Sequence, residues 1–151
     1  MGVLIRQFDY LSVVDSTNEY LKSFVNIREP RMVVAAEQTA GKGRHGHSWH
    51  SPPEEGLYVS YLLFPDWDVE RAPYLTMIAG LAVHKSILDE GGKEENLILK
   101  PPNDVLIRNR KVSGILTEIS SSHNRITWVI VGIGVNLYQR NFPDVIESRA
   151  T

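Results

Sequence analysis

The strongest restriction on how this chain can fold is a glycine-rich, cationic segment that runs into a strand pattern instead of a helix pattern. Glu37-Gln38-Thr39-Ala40-Gly41-Lys42-Gly43-Arg44-His45-Gly46-His47-Ser48-Trp49 satisfies G-x-G-x-x-G from Gly41 to Gly46. It also nearly satisfies a Walker A loop, with His47 where the lysine belongs. Both motifs hold phosphate on the amides and dipole of a helix that opens directly after the loop. Here Trp49-His50-Ser51-Pro52-Pro53 follows, and then the strand-like Leu57-Tyr58-Val59-Ser60-Tyr61-Leu62-Leu63-Phe64. That context excludes both the dinucleotide-binding and the P-loop folds. What remains is a loop whose glycines permit positive φ and close backbone approach. Lys42 and Arg44 supply permanent charge, His45 and His47 conditional charge, and Trp49 a flat apolar face. Together they suit an anionic, partly aromatic ligand such as an activated nucleotide.

The rest of the pattern alternates between short strands and two helices. Residues 3–14 are extended in character. Ser16 and Glu19 form a capping-box signature, and Tyr20, Leu21, Phe24 and Val25 recur at helical spacing behind it. Met32–Ala36 reads as a buried strand that leads into the glycine loop, and 57–64 as a second strand ending at Pro65. A helix is predicted from about Glu70 to Glu90, with Leu75, Ile78, Ala79, Ala82, Val83 and Leu88 inward and Gly91-Gly92 as its stop. Strands follow at Leu97–Leu99, Val105–Ile107, Val112–Ile119 and Ile126–Leu137, with hairpin turns at 108–111 and 121–124. The predicted class is α+β: a mostly antiparallel mixed sheet with helices packed on one face.

The 151 residues fit one domain, since a chain of this length buries about 70% of its unfolded surface. The net charge of −2 makes the whole molecule a poor general polyanion binder, so no nucleic acid is expected as partner. The absence of cysteine excludes disulfides, thiolate metal sites and cysteine nucleophiles, and suits a cytoplasmic location. Met1-Gly2-Val3-Leu4-Ile5-Arg6-Gln7 lacks a signal-peptide core, and no apolar run approaches membrane-spanning length, so no membrane partner is expected.

Three further segments carry candidate chemistry. In Lys100-Pro101-Pro102-Asn103-Asp104 two prolines stiffen a turn that presents Asn103 and Asp104. Asp104 is a candidate for Mg²⁺ beside a polyphosphate; the same residues also read simply as a turn. Lys111 stands just before the strand that opens Val112-Ser113-Gly114, as a solvated lysine or as a contact for a carboxylate or phosphate oxygen. Gly132 and Gly134 lie inside a strand, where glycine often marks close approach of a ligand, and Asn136 ends it. His45, His47 and His50 invite a metal reading, but a loop fixes no ligand spacing. No Gly-x-Ser-x-Gly elbow supports a serine hydrolase.

In this order the segments resemble the catalytic domain of biotin protein ligases. The matching signatures are Ser16-Thr17-Asn18, the loop from Gln38 to Trp49, Lys100-Pro101-Pro102-Asn103-Asp104, Lys111-Val112-Ser113-Gly114-Ile115-Leu116 and Gly132-Ile133-Gly134-Val135-Asn136. The resemblance implies a two-step ATP-dependent reaction, through biotinyl-5′-AMP to a lysine of a biotin carboxyl carrier protein or domain. Biotin, ATP and Mg²⁺ are the implied ligands, and a homodimer is a possible assembly. Ser16, Thr17, Asn18, Gln38 and Gly114 would bind biotin, and Gly43, Arg44 and His45 would wrap the acyl phosphate. Lys111 and Arg44 would be catalytic. Gly41, Lys42, Trp49, Asn103 and Asn136 would serve the nucleotide, with Trp49 stacking the adenine, and Asp104 the metal.

Three departures from the family pattern qualify that picture. Lys42, His45 and His47 replace arginines, so permanent donors are lost. A charge-assisted hydrogen bond is worth about 1.5–3 kcal/mol, so weaker adenylate retention, improving at mildly acidic pH, is expected. Pro101 replaces a tryptophan. The chain stops at Ser148-Arg149-Ala150-Thr151, where the family continues into helices and a small barrel, and it has no winged helix, so no DNA-binding repressor role is expected. The competing readings are a crippled biotin- or adenylate-binding domain and a lipoate ligase relative.

Overall fold

A computed structural model describes residues 5–142. The ends Met1–Leu4 and 143–151, on which the expectations about the chain's beginning and its stop rest, lie outside the described residues. The elements are β1 (Gln7–Leu11), α1 (Thr17–Lys22), β2 (Arg31–Ala35), β3 (Gly56–Leu63), α2 (Ala72–Asp89), β4 (Leu97–Lys100), β5 (Asp104–Ile107), β6 (Arg110–Ser122) and β7 (Arg125–Asn136). The strands form one seven-stranded sheet in the order β1-β2-β3-β7-β6-β5-β4. Only β1 and β2 run parallel; the other neighbours are antiparallel. The α+β class and the mixed, mostly antiparallel sheet are as the sequence predicts.

The placement of the helices is not. Successive side chains of a strand point to opposite faces. On β7, Ile130 packs with Leu21 of α1, Val33 and Leu62. Its neighbours Val129 and Val131 pack with Ala79 and Val83 of α2, Val105 and Ile115. The two helices therefore cover opposite faces of the sheet. Leu21, fully buried, anchors α1 by removing its whole side chain from water, worth about 2 kcal/mol.

Helix limits and faces also depart in detail. α1 ends at Lys22, and Phe24 continues in a tighter turn, its amide donating to the Leu21 carbonyl at 3.0 Å. The capping box does not form: Ser16 makes no side-chain cap bond, its N–H donates to Asp15 Oδ1 instead, and Glu19 is drawn into ion pairs with Lys22 and Lys42. On α2 the buried residues are Ala79, Gly80 and Val83. Ile78 and Ala82, expected inside, are exposed, along with Tyr74, Met77 and Leu81. This helix is apolar on both sides, so periodicity alone misplaces its inner face. Its stop is as expected: Gly91 takes φ +93° and Gly92 donates to the Ile87 carbonyl at 2.8 Å. Both hairpins close through two residues at positive φ, Arg108-Asn109 and His123-Asn124, the geometry that matches strand twist.

Candidate active site

The functional segments gather on the α1 face, above β3, β7 and β6. The glycine loop is a small hairpin. Trp49 N–H donates to the Gly41 carbonyl at 2.8 Å and Gly43 N–H to the His47 carbonyl at 2.7 Å. Lys42 and Ser48 pair across it. Of its glycines only Gly46 uses positive φ (+78°), while His45 takes +56° as a non-glycine residue. Gly41 is needed for a different reason: a Cβ there would lie 2.5 Å from the Trp49 carbonyl oxygen. The base of the loop is tied to α1 by Gln38. Its Oε1 accepts from Thr17 N–H at 2.9 Å and its Nε2 donates to Ser51 Oγ at 2.8 Å.

An open cleft with about 450 Å³ of empty space lies between this hairpin and the sheet. Ser16, Thr17, Asn18, Gln38, Lys42, Gly43, Arg44, Trp49, Asn103, Lys111 and Gly114 all line it. Side-chain-free strand positions make the floor. A Cβ on Gly134 would collide with the Trp49 indole, one on Gly114 would lie 2.9 Å from Trp49 and 3.0 Å from Lys111, and one on Gly132 would collide with Asn18. Trp49 thus lies flat over two neighbouring strands, with Lys111 Nζ 5.3 Å from its ring centre. Its Nε1–H is buried against β7 without a partner among the described residues.

The cations of the cleft are not equivalent. Lys111 Nζ lies 2.7 Å from Asp104 Oδ1, and Lys42 Nζ lies 2.6 Å from Glu19 Oε1. The two ammonium groups that share Glu19 hold its carboxyl below the usual range, through Lys22 first and Lys42 second. Arg44 has only a neutral partner among the described residues, Asn103 Oδ1 at 3.3 Å. Asn103 is itself locked to β6: its Nδ2 donates to the Ile115 carbonyl, and its own carbonyl accepts from Ile115 N–H. Arg44 is therefore the cation that an entering anion meets without a carboxylate to displace.

Several candidates sit at the margin. His45 and His47 are exposed at the loop tip and do not line the cleft. Gly41 lies buried beneath the hairpin. Asp104 reaches the cleft only through Lys111. Asn136 sits behind it, donating to the Lys111 carbonyl at 3.4 Å. Among the described residues no three His, Cys, Asp or Glu side chains come together to hold a metal. Two participants escape sequence reasoning. Ser60 is fully buried and bonded to both Thr17 and Asn18, and the Glu118 carboxylate is bonded to Asn18 and Lys22. Glu118 stands four positions past Gly114, on the same face of β6; that even spacing was the available signal.

Comparison with known proteins agrees with this arrangement. The model of the biotin/lipoate A/B protein ligase family matches residues 10–136. The chain is 38% identical over 146 residues to the bifunctional ligase/repressor BirA of Bacillus subtilis, covering 94% of this chain and 44% of that protein. It is also 38% identical to the biotin–[acetyl-CoA-carboxylase] ligase of Paracoccus denitrificans, covering 93% and 59%. Among solved structures, the biotin protein ligase from Aquifex aeolicus in complex with biotin and ATP superposes with a TM-score of 0.78 at 38% identity, covering 97% of this chain and 59% of that one. The chain thus spans less than two thirds of the length of these relatives.

Proposed function

This chain belongs to the biotin/lipoate A/B protein ligase family, and from that premise we propose that it activates biotin with ATP and passes it to a lysine of a biotin carboxyl carrier protein or domain. The observation that carries the reading is the convergence of Arg44 and Lys111 on one glycine-floored cleft beneath Trp49. In the first step a biotin carboxylate oxygen bonds to the α-phosphorus of ATP and the bond to pyrophosphate breaks. The obstacle is repulsion between a carboxylate and a polyphosphate, and fixed cations remove it. Among the described residues Arg44 has no acidic partner, which leaves it to that purpose. Lys111 exchanges Asp104 for the acyl and phosphate oxygens.

In the second step the amine nitrogen of the carrier lysine bonds to the acyl carbon, the bond to AMP breaks and the amine sheds a proton. The mixed anhydride must be kept from water in the meantime. The Gly41–Trp49 hairpin is the natural cover. Trp49 offers its outer ring face to the adenine. Ser16, Thr17, Asn18 and Gln38 take the fused rings of biotin, and Gly43, Lys42 and Gly114 the chain and phosphate. Asn103 and Asn136 brace the nucleotide side.

Magnesium fits as a passenger on the phosphates. Asp104 is the one carboxylate beside Lys111, and no acidic side chain lines the cleft among the described residues. That donor set suits a cation that keeps its waters and phosphate oxygens, whose charge lowers the cost of bringing the anions together. A cytoplasmic setting, where ATP and carrier are available, completes the reading; no described helix is long and apolar enough to cross a membrane.

Pyrophosphate release with biotin and Mg-ATP tests the first step, and mass spectrometry of a biotin-carrier domain the second. Lys111→Ala is expected to lower pyrophosphate release at least a hundredfold while biotin still binds. Full turnover by that variant would overturn the assignment of Lys111.

A further inference from the structure

Glu118 does not line the cleft, yet it terminates the hydrogen-bond chain that forms the cleft floor. Its Oε2 accepts from Asn18 Nδ2 at 2.7 Å and its Oε1 from Lys22 Nζ at 2.8 Å. A carboxylate only accepts, so the amide of Asn18 must present its NH₂ to Glu118 and its carbonyl to the other side. On that other side stands the buried Ser60 Oγ, 2.6 Å from Asn18 Oδ1. A carbonyl oxygen also only accepts, so the single Ser60 proton points at Asn18. The Ser60 oxygen then faces Thr17 Oγ1, 2.7 Å away, with lone pairs alone; the single Thr17 proton goes to this shorter contact rather than to Gln38 Oε1 at 3.0 Å, which already accepts from Thr17 N–H. The lone pairs of Thr17 are left for the cleft, which Thr17 lines. One carboxylate thereby sets the direction of three successive hydrogen bonds.

The other oxygen of Glu118 carries a second linkage. Lys22 also donates to Glu19 Oε1 at 2.6 Å, and the same oxygen accepts from Lys42 Nζ of the glycine hairpin at 2.6 Å. Burial pulls the Lys22 ammonium down, but the bonds to Glu118 and Glu19 outweigh it and leave its pKa raised. Lys22 is therefore the group that decides which way an uncharged replacement of Glu118 would turn.

We propose that Glu118 is a positioning and specificity residue: it polarises the Asn18–Ser60–Thr17 chain so that the cleft floor accepts hydrogen bonds from a ligand head group rich in N–H donors. The proposal rests on the biotin reading, because the ureido ring supplies such donors, but its polarity argument concerns the free protein as well.

The test is Glu118→Gln, nearly isosteric, together with the double variant Glu118→Gln/Lys22→Met. In the single variant the Lys22 ammonium claims the new amide oxygen, so the amide NH₂ faces Asn18 and turns it over. Biotin affinity measured by calorimetry is expected to fall tenfold or more, with the KM for ATP within twofold of the wild type. Removing the ammonium lets the introduced amide turn its oxygen back to Asn18, and the double variant is expected to recover most of the lost affinity. A purely structural role would lower biotin and ATP binding together and would show no recovery.

In ligand-free protein, the Asn18 side-chain NH₂ signal in a ¹⁵N spectrum should show one slowly exchanging, carboxylate-bound proton. That signal should be lost in Glu118→Gln and regained in the double variant. An unchanged Asn18 signal in the single variant overturns the proposal even if biotin is not the ligand. Failure of the wild type to bind biotin, with the Asn18 signals behaving as stated, instead overturns the biotin reading.

Discussion

At Gly134 the site depends on the absence of a single carbon. Trp49 lies against this position, and Lys111 sits above the same ring, so the indole has no lateral room to yield. Gly134→Ala should evict it from the floor. The Trp49 indole N–H resonance should move, and adenylate formation should fall by more than tenfold. The backbone should tolerate the change, because alanine lowers the entropy of the unfolded chain by about 0.4–1 kcal/mol. Unfolding midpoints close to the wild type would separate a loss of site from a loss of fold.

Tyr58 allows a pH prediction from a different chemistry. Burial, and secondarily the nearby Glu55 carboxylate, push its phenol from 10 to about 12. Between those values the folded state keeps a proton that the unfolded state has released. Stability must therefore fall as pH rises from 10 to 12 and level off above that. Two units correspond to roughly 2–3 kcal/mol. Tyr58→Phe, which loses the bond to the Pro52 carbonyl, should be less stable at pH 8 but lack this extra slope. Parallel curves for the two proteins in urea titrations from pH 8 to 12 would refute the assignment. At this scale the sequence exposes the identity of the cleft residues but not their pairing. Lys42 and Lys111 read as free cations until Glu19, distant in sequence, and Asp104, across the β5–β6 hairpin, are seen to hold them.

At the scale of elements, α1 is the weakest part that the site cannot do without. Six residues are too few to stand as a helix alone, so packing must hold it. Leu21 supplies that packing among Val33, Leu62 and Ile130. Leu21→Ala should cost about 2–5 kcal/mol. Because Ser16, Thr17 and Asn18 ride on the start of α1, biotin affinity should fall by more than the unfolded fraction accounts for. Calorimetric titration at a temperature where the variant remains folded measures the difference, and unchanged affinity there would refute the dependence. Hairpins and strand runs are legible because their signals are local: turn residues at 108–109 and 123–124, and the double glycine after α2. The end of α1 and the inner face of α2 are not, since Phe24 packs as well from a turn as from a helix and α2 carries apolar residues on both sides.

For the molecule as a whole, β7 is the wall on which both halves depend. It pairs with β3 on one side and β6 on the other, and its alternate residues serve the α1 core and the α2 core. No periodicity argument reveals this, because a strand buried on both faces shows a continuous apolar run instead of an alternating one. The run from Trp128 to Val135 is of that kind, and the glycines at 132 and 134 interrupt it only on the cleft face. Opposite faces also explain why the site can be open while the fold is firm: the α2 core closes without help from the glycine hairpin. Amide exchange should divide accordingly. Residues 58–62, 113–119 and 129–135 should open only with global unfolding, whereas 41–49 and the edge strands β1 and β4 should exchange by local opening. Biotin with ATP should then protect 41–49 together with 111–114 and 132–136, and leave α2 at its ligand-free rate. Equal protection of α2 would mean that the two cores act as one body, contrary to the division of labour drawn here.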